Sequence, residues 1–286
     1  MIVIFLQKEY HRHLYPPGIR VQSVLLPLLS KAPCCCEKDL PQEVSGEYIL
    51  KGWFLDLQDV PHDMDDSKVC VALVSGGIDS PVAVARMLAE GWDIIPVHAS
   101  QEPITGPEAE LKTIASLQHL LEMDGPLGDA ARNHLRRELI VVPVAEVLAL
   151  FTEKWCHSEY FIHMKRLFNS LATLCGEEVE ASHVLTGENL GQVSSQTLGN
   201  LGGVEIATPL LPLRPLLAFD KVDIMAMART IGTLSISEGP EVCDALGPDK
   251  PTTVANKEWL EKSEERLGGI SSLAMRCWED RRPVPL

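Results

Sequence analysis

The amino-acid sequence predicts an α/β protein built on a doubly wound parallel sheet. Short apolar runs, typical of strands covered on both faces, alternate with longer amphipathic patterns that are typical of helices. Apolar residues make up 45% of the 286 residues, which excludes a disordered or collagen-like chain and leaves ample length for a core. Right-handed crossovers then place the strand carboxyl ends, and any ligand, along one edge of the sheet.

The first strand and helix are the clearest pair of elements. Residues 69–74 form a continuous apolar run, and the segment SGGIDSP follows it directly. Apolar residues then recur at helical spacing over residues 82–88, and Gly91 ends the pattern. We therefore expect a buried strand, a tight turn and a helix in that order.

The same alternation continues along the chain. Further strands are expected at residues 93–97, 139–142 and 183–186. Further helices are expected at residues 107–123, 159–174, 220–231 and 256–267. Segment 125–137, by contrast, has the composition of an exposed insertion.

The chain divides into three parts by its patterning. Residues 1–68 are irregular and form a short N-terminal extension of uncertain fold, residues 69–255 form the α/β domain, and residues 256–286 form a C-terminal helical tail. The extension contains three consecutive cysteines at 34–36, which suit an oxidisable tract or a weak metal site better than ligation of one cluster.

Charge and targeting signals narrow the class of protein. The formal charge of −15 argues against a surface that grips nucleic acid throughout, although it leaves room for a local basic site. The best basic cluster is Arg132, His134, Arg136 and Arg137, which fits a solvated helix face better than an RNA contact. No apolar run reaches the length of a membrane span and no secretion signal is present, so we expect a cytoplasmic protein with reduced thiols.

The turn at residues 75–80 has the composition of a phosphate-binding loop. Gly76 and Gly77 let the backbone approach an anion, and the following helix start offers unpaired N–H groups. Ser80 is placed to cap that helix. Asp79 suits a Mg²⁺ ion that bridges bound phosphates. A turn that merely needs glycines is the alternative, but the flanking strand and helix favour phosphate binding.

Four segments together resemble one family. SGGIDSPVA is similar to the pyrophosphate-loop (PP-loop) signature of ATP pyrophosphatases of the adenine nucleotide α-hydrolase type. TGENLGQVSSQTLG at 186–199, LRPLLAFDKVDIMAMARTIGT at 213–233 and GPEVCDALGPDKPTT at 239–253 resemble segments of the ThiI-type tRNA 4-thiouridine synthetases, in the same order. The resemblance covers about residues 69–255 and implies an adenine nucleotide α-hydrolase-like fold.

The resemblance implies a nucleotide site with Mg²⁺ held through ATP. Asp79 matches the essential acid of the family and is the expected magnesium contact. The other positions that the resemblance assigns to ATP lie at predicted strand ends, at helix starts or on a helix. They are Leu73, Val74, Ser75, Gly76, Gly77, Ser80, His98, Ala99, Lys165, Gly187 and Gln196.

The resemblance also implies the chemistry. Cys243 matches the catalytic cysteine of the family, so the expected enzyme is an ATP-dependent sulfurtransferase that forms AMP and pyrophosphate. It would adenylate a tRNA uridine and introduce sulfur from a Cys243 persulfide or from sulfide, giving 4-thiouridine. The alternatives are an adenylating sulfurtransferase that acts on a small molecule or a sulfur-carrier protein, and a catalytically silent nucleotide-binding partner.

Three departures from the family shape the expected partners. The 68 residues before the first strand are too few for the THUMP-containing tRNA module, so tRNA would be bound through a separate RNA-binding partner or a second subunit of a homodimer. No rhodanese domain follows, so an external donor such as a cysteine desulfurase or sulfide is expected. Phe161 and Met164 stand where some members carry a CxxC pair, so no iron–sulfur cluster is expected there.

Overall fold

Six strands form a mixed sheet at the centre of the computed structural model, which describes residues 68–239 and 245–286. The strand order is β5-β4-β1-β2-β3-β6, and only β6 is antiparallel to its neighbour. The strands are β1 (Val69–Leu73), β2 (Asp93–Ser100), β3 (Glu138–Pro143), β4 (His183–Leu185), β5 (Leu211–Leu213) and β6 (Arg282–Pro285).

Helices cover both faces of the sheet, which confirms the doubly wound α/β prediction. In β1, Cys70 and Ala72 face one apolar core and Val71 faces the other, as the period of two in a strand requires. The helices are α1 (Asp79–Ala89), α2 (Glu108–Glu122), α3 (Pro126–His134), α4 (Ala145–Leu150), α5 (Tyr160–Val179), α6 (Leu198–Glu205), α7 (Lys221–Thr230), α8 (Leu234–Ser237), α9 (Lys257–Arg266) and α10 (Ile270–Glu279).

The expected insertion at 125–137 is wrong, because most of it is the packed helix α3. Ala131 is fully buried and Leu135 nearly so, and both belong to the core that includes α1 and α2. The other face of α3 carries charge, which gave the segment its polar composition. Arg132 pairs there with Asp129, and its guanidinium also donates to two backbone carbonyls.

The basic cluster on and after α3 is largely matched by carboxylates. His134 contacts Asp93 at 2.8 Å, and Arg136 lies 3.5 Å from Glu138. Arg137 donates to the backbone carbonyl of Arg132. The cluster is therefore a solvated, charge-compensated face, as the sequence favoured.

The C-terminal segment is not only helical. Helix α10 packs against α5, and β6 adds an antiparallel edge strand beside β3. The sequence analysis expected these last residues to belong to a helical tail. They form a strand instead, because an edge position tolerates the two prolines of RPVP. Helix α9 is also tied to the domain, since Glu264 accepts two hydrogen bonds from the buried Arg166 of α5.

Some sequence predictions fall outside the described residues. These are the fold of the N-terminal extension, the cysteines at 34–36 and the position of Cys243. Within residues 68–239 and 245–286, every helix is too short or too polar to span a lipid bilayer.

Candidate nucleotide-binding site

A cavity of about 820 Å³ opens at the carboxyl ends of the parallel strands. This is the edge at which open α/β sheets bind ligands, and the volume lies in the usual range for small-molecule sites. All twelve described residues that the sequence assigned to the nucleotide line it: Leu73, Val74, Ser75, Gly76, Gly77, Asp79, Ser80, His98, Ala99, Lys165, Gly187 and Gln196.

The glycine turn between β1 and α1 is closed by two serines. Ser80 Oγ accepts from the Ser75 backbone N–H at 2.9 Å and donates to the Ser75 carbonyl at 3.0 Å. The Gly77 N–H donates to Ser75 Oγ at 3.3 Å. Ser80 is the second residue of α1 and not its cap, because the helix begins one residue earlier at Asp79. Its hydroxyl therefore shapes the turn and leaves the helix start open.

Two glycines allow close backbone contacts around this turn. A Cβ at Gly76 would lie 2.7 Å from the Ala109 carbonyl oxygen of α2, and a Cβ at Gly187 would lie 2.8 Å from the Ser80 nitrogen. Neither glycine has positive φ, so the requirement is space and not left-handed backbone. The segment after β4 thus packs directly on the start of α1.

Asp79 forms an ion pair that the sequence did not predict. Its Oδ1 accepts a hydrogen bond from Lys221 Nζ at 2.7 Å, and Lys221 is the first residue of α7. The Asp79 side chain remains 22% exposed at the cavity. The signal for Lys221 was present in the DK pair of the third motif, but a lysine at a helix start looks like a solvated charge.

His98 is held as a neutral ring in the cavity wall. Its Nδ1 lies 2.9 Å from the Val74 carbonyl oxygen, which only accepts, so Nδ1 carries the proton. Burial lowers the pKa of His98 more than the nearby carboxylates Glu110 and Glu102 raise it. The ring therefore offers Nε2 as a hydrogen-bond acceptor to a ligand.

Lys165 lies at the cavity wall in an ion-pair cluster centred on Glu188. Lys165 Nζ donates to Glu188 Oε1 at 2.6 Å, and Arg214 Nε donates to Oε2 at 2.7 Å. Burial alone would raise the pKa of Glu188, but the charges and hydrogen bonds of Lys165 and Arg214 lower it to about 2. Glu188 belongs to the TGE motif, and sequence reasoning missed it because a glutamate is a poor phosphate ligand.

The segment that carries Gln196 is braced by side chains. Gln196 Oε1 accepts from the Asn189 N–H at 3.3 Å, and the Asn189 amide donates to the carbonyls of Leu216 and Phe219. Thr197 caps α6 by accepting from the Asn200 N–H. Gln196 therefore lines the cavity from a segment fixed to the loop after β5.

The described cysteines are not nucleophile candidates. Cys70, Cys156, Cys175 and Cys277 are buried, and burial raises the thiol pKa to about 12, 11, 12 and 11 respectively. In the part of the chain that the structure describes, no cluster of three His, Cys, Asp or Glu side chains could hold a metal ion. Phe161 and Met164 both line the cavity and make that part of the wall apolar.

Comparison with known proteins identifies relatives over the described domain. A family model described as thiamine biosynthesis protein (ThiI) matches residues 66–268. Two proteins named probable tRNA sulfurtransferase, from Moorella thermoacetica and Thermus thermophilus, are 33% and 35% identical to this chain over 211 residues. Each alignment covers 73% of this chain, but 51% and 50% of the relative. The chain thus spans about half the length of the curated relatives it matches.

A solved structure shares the fold. It is described as a 4-thiouridine synthetase–RNA complex with bound ATP, and it aligns with a TM-score of 0.68 and 32% identity. The alignment covers 76% of this chain and 54% of that one.

Proposed function

The chain belongs to the ThiI family, and from that premise we propose that it is an ATP-dependent sulfurtransferase. The proposed reaction adenylates a uridine carbonyl of tRNA and replaces its oxygen with sulfur, giving 4-thiouridine. The observation that carries the proposal is that all twelve described nucleotide candidates line one cavity at the strand carboxyl ends. The twelve residues come from β1, α1, β2 and α5 and from the segments that follow β1 and β4.

ATP fits the chemistry of this cavity. The open start of α1 supplies backbone N–H groups and the positive end of a helix dipole to the phosphates, beside Gly76, Gly77 and Ser80. Lys165 supplies a cation at the wall. Strand ends at Leu73, Val74, His98 and Ala99 supply an apolar and hydrogen-bonding surface for the nucleoside. Mg²⁺ would be held by Asp79 together with the phosphates, and it would neutralise their charge.

The chemistry proceeds in two displacements. The uridine carbonyl oxygen attacks the α-phosphorus, an O–P bond forms, and pyrophosphate leaves. Sulfur then attacks the activated carbon, a C–S bond forms, and AMP leaves with the former carbonyl oxygen. When the outer sulfur of a Cys243 persulfide is the nucleophile, an external thiol must then attack Cys243 Sγ. The S–S bond breaks, thiouridine is released, and Cys243 is left in a disulfide that a reducing dithiol reopens. Backbone N–H groups at the start of α1 and the Lys165 ammonium would hold the phosphates and offset their charge, which lowers the barrier by positioning and electrostatics.

Cys243 is the proposed sulfur carrier. It matches the catalytic cysteine of the family motif, and the four described cysteines are all buried with raised thiol pKa values. A cysteine desulfurase would load the thiol by passing on the outer sulfur of its own persulfide. Free sulfide would instead attack the activated carbon directly, with no persulfide on Cys243.

The RNA substrate is proposed to arrive with help from a partner. The solved relative is described as an RNA complex with bound ATP. The formal charge of −15 and the compensated basic cluster on α3 supply little attraction for phosphates. A separate RNA-binding protein or a second subunit would therefore deliver the tRNA.

Pyrophosphate release from Mg-ATP in the presence of tRNA tests the adenylation. Asp79→Asn is expected to reduce it about a hundredfold, because the phosphates lose their metal contact. Asp129→Asn, which removes a carboxylate from the exposed pair on α3, is the matched control and should keep the rate. Equal rates in both variants would refute the role of Asp79, and no release by the native chain would favour a silent nucleotide-binding partner.

The acceptor and the sulfur carrier need separate tests. Deleting the gene should remove 4-thiouridine from tRNA, as measured by nucleoside mass spectrometry, and its full retention would point to a small molecule or a sulfur-carrier protein. Cys243→Ser should abolish thiolation while ATP binding persists. Continued thiolation by this variant would refute the role of Cys243 as a persulfide carrier.

A further inference from the structure

Glu188 is a buried carboxylate between two cations at the cavity wall. The side chains of Glu188 and Arg214 are each 9% exposed, whereas Lys165 is 17% exposed. Lys165 and Glu188 line the cavity, and Thr186 adds a hydroxyl donor to Glu188 Oε2 at 3.2 Å. Of the two cations that Glu188 holds, Lys165 is the one that a ligand in the cavity reaches.

The backbone around Glu188 is fixed to the phosphate-binding turn. Gly187, the preceding residue, packs so closely on the start of α1 that an added Cβ would lie 2.9 Å from the Asp79 carbonyl carbon. On the other side, the Thr186 N–H donates to the Leu213 carbonyl at 3.0 Å and ties the ends of β4 and β5 together. The position of the Glu188 carboxylate relative to the turn is therefore set by backbone packing.

The charges of the cluster leave Lys165 available to an anion. Glu188 accepts from Lys165 and Arg214 together, so it stays compensated by Arg214 when Lys165 turns to another partner. Glu205 also pairs with Arg214, but its side chain is 42% exposed and does not touch Lys165 in the described contacts. When a lysine leaves an isolated buried pair, it leaves an uncompensated carboxylate behind, which is costly. The cost is smaller when a second cation stays on that carboxylate.

We propose that Glu188 is a positioning residue for ATP binding: it holds the Lys165 ammonium at the cavity wall beside the turn, and Arg214 compensates it when the ammonium bonds to the phosphates. The inference rests on the proposed function and deepens it. Glu188 acts through Lys165 and makes no bond to the nucleotide itself. Its substitution should therefore have no effect once Lys165 is absent.

A double-mutant cycle on Mg-ATP binding, measured by titration calorimetry with the full chain, tests this coupling. Lys165→Gln should weaken binding about tenfold or more, because a charge-assisted hydrogen bond to phosphate is lost. Glu188→Gln should weaken it about tenfold, and the double variant should bind no more weakly than Lys165→Gln alone. In pyrophosphate release, Glu188→Gln should raise KM for ATP and largely keep kcat.

Glu205→Gln is the matched control, since it removes a carboxylate from Arg214 but leaves Lys165 paired. It should bind Mg-ATP like the native chain. If Glu188→Gln does not fold, Glu188→Asp keeps the charge on a shorter side chain and should show the same coupling to Lys165.

The outcomes separate the inference from the proposed function. If the native chain does not bind Mg-ATP, the proposed function fails and the inference fails with it. If the native chain binds and the effects of Lys165→Gln and Glu188→Gln multiply in the double variant, the inference alone is overturned. Unchanged affinity in Glu188→Gln would overturn it as well.

Discussion

Gly187 has no side chain, and this lets the segment after β4 pack directly against the start of α1. The sequence places this glycine in a motif associated with nucleotide binding, where a flexible turn is the obvious interpretation. The structure gives a different physical reason, because the residue has no positive φ and instead lies against the backbone of Ser80. Its role at residue scale is to let two backbones approach.

Gly187→Ala should therefore damage the site by crowding. The new Cβ would lie 2.8 Å from the Ser80 nitrogen, so the start of α1 or the segment after β4 must shift. We expect a loss of about 1–3 kcal/mol in the free energy of unfolding and at least about tenfold weaker Mg-ATP binding. Urea unfolding and calorimetry measure the two effects.

Gly202→Ala is the control for this substitution. Gly202 lies within α6, and an added Cβ there meets nothing within 4 Å. It should be neutral or stabilise by up to about 1 kcal/mol, because alanine favours helix. Equal behaviour of the two variants would contradict the crowding explanation.

Glu188 should also leave a signature in the acid stability of the protein. Its pKa is lowered from 4.5 to about 2 in the folded chain, so the ionised form is favoured by folding. Its contribution, of the order of 3 kcal/mol, is present in full above the unfolded pKa and is lost as pH falls from about 4.5 toward 2.

The measurement is the free energy of unfolding in urea at a series of pH values. Glu188→Gln should show a shallower loss of stability than the native chain below about pH 4.5, since the glutamine does not titrate. Glu264 also has a lowered pKa, but it contributes to both proteins and cancels in the difference. If the unfolding free energies of the native chain and Glu188→Gln fall equally with pH, the pKa of Glu188 is not lowered in the folded chain.

At the scale of elements, a buried ion pair joins α5 to α9, beside an apolar cluster that includes Ile162 and Leu260. Arg166 donates from Nε and Nη2 to the two carboxylate oxygens of Glu264, at 2.6 and 2.8 Å, and from Nη1 to the Gly203 carbonyl. His163 adds a contact to the same carboxylate at 3.0 Å. This pair fastens the C-terminal helices to the helix that carries Lys165.

Arg166→Met should be strongly destabilising. It leaves Glu264 buried with only His163 beside it, and an uncompensated buried charge typically costs about 3–5 kcal/mol. Urea unfolding measures the change, and the additional substitution Glu264→Leu should recover part of it. Lys257→Met, which breaks an exposed pair of 3.8 Å on α9, is the control and should change stability by less than about 1 kcal/mol.

At the scale of the whole molecule, ligand binding and stability are linked. The cavity draws on β1, α1, β2, α5 and the segments after β4, so a nucleotide that fills it bonds to many elements at once. A ligand that binds only the folded chain stabilises it by mass action.

Mg-ATP should accordingly raise the melting temperature. At a hundred times its Kd the stabilisation is about 2.7 kcal/mol, which corresponds to roughly 5–10 °C for a domain of this size. Asp79→Asn should lose most of the shift at the same concentration, whereas Asp129→Asn should retain it. If Mg-ATP leaves the melting temperature of both the native chain and Asp129→Asn unchanged, the nucleotide does not bind in this cavity.

The regular elements were largely predictable because their signals are local. The apolar run of β1, the helical stripes of α2 and α5 and the glycine turn each follow from residues close in the sequence. Elements with weak or misleading local signals were missed, such as α3 with its charged outer face and β6 with its two prolines. Their structure depends on the core and the neighbouring strand that they pack against.

Local pattern and motif order were enough to predict the fold class, the family and twelve of the residues that line the cavity. Which side chains pair with those residues became known from the three-dimensional structure alone. The hydrogen-bonded residues Lys165 and Glu188 are 23 residues apart in the sequence, and Asp79 and Lys221 are 142 residues apart. Such pairs arise where strand ends converge, and no local pattern encodes a distance between segments so far apart in the chain.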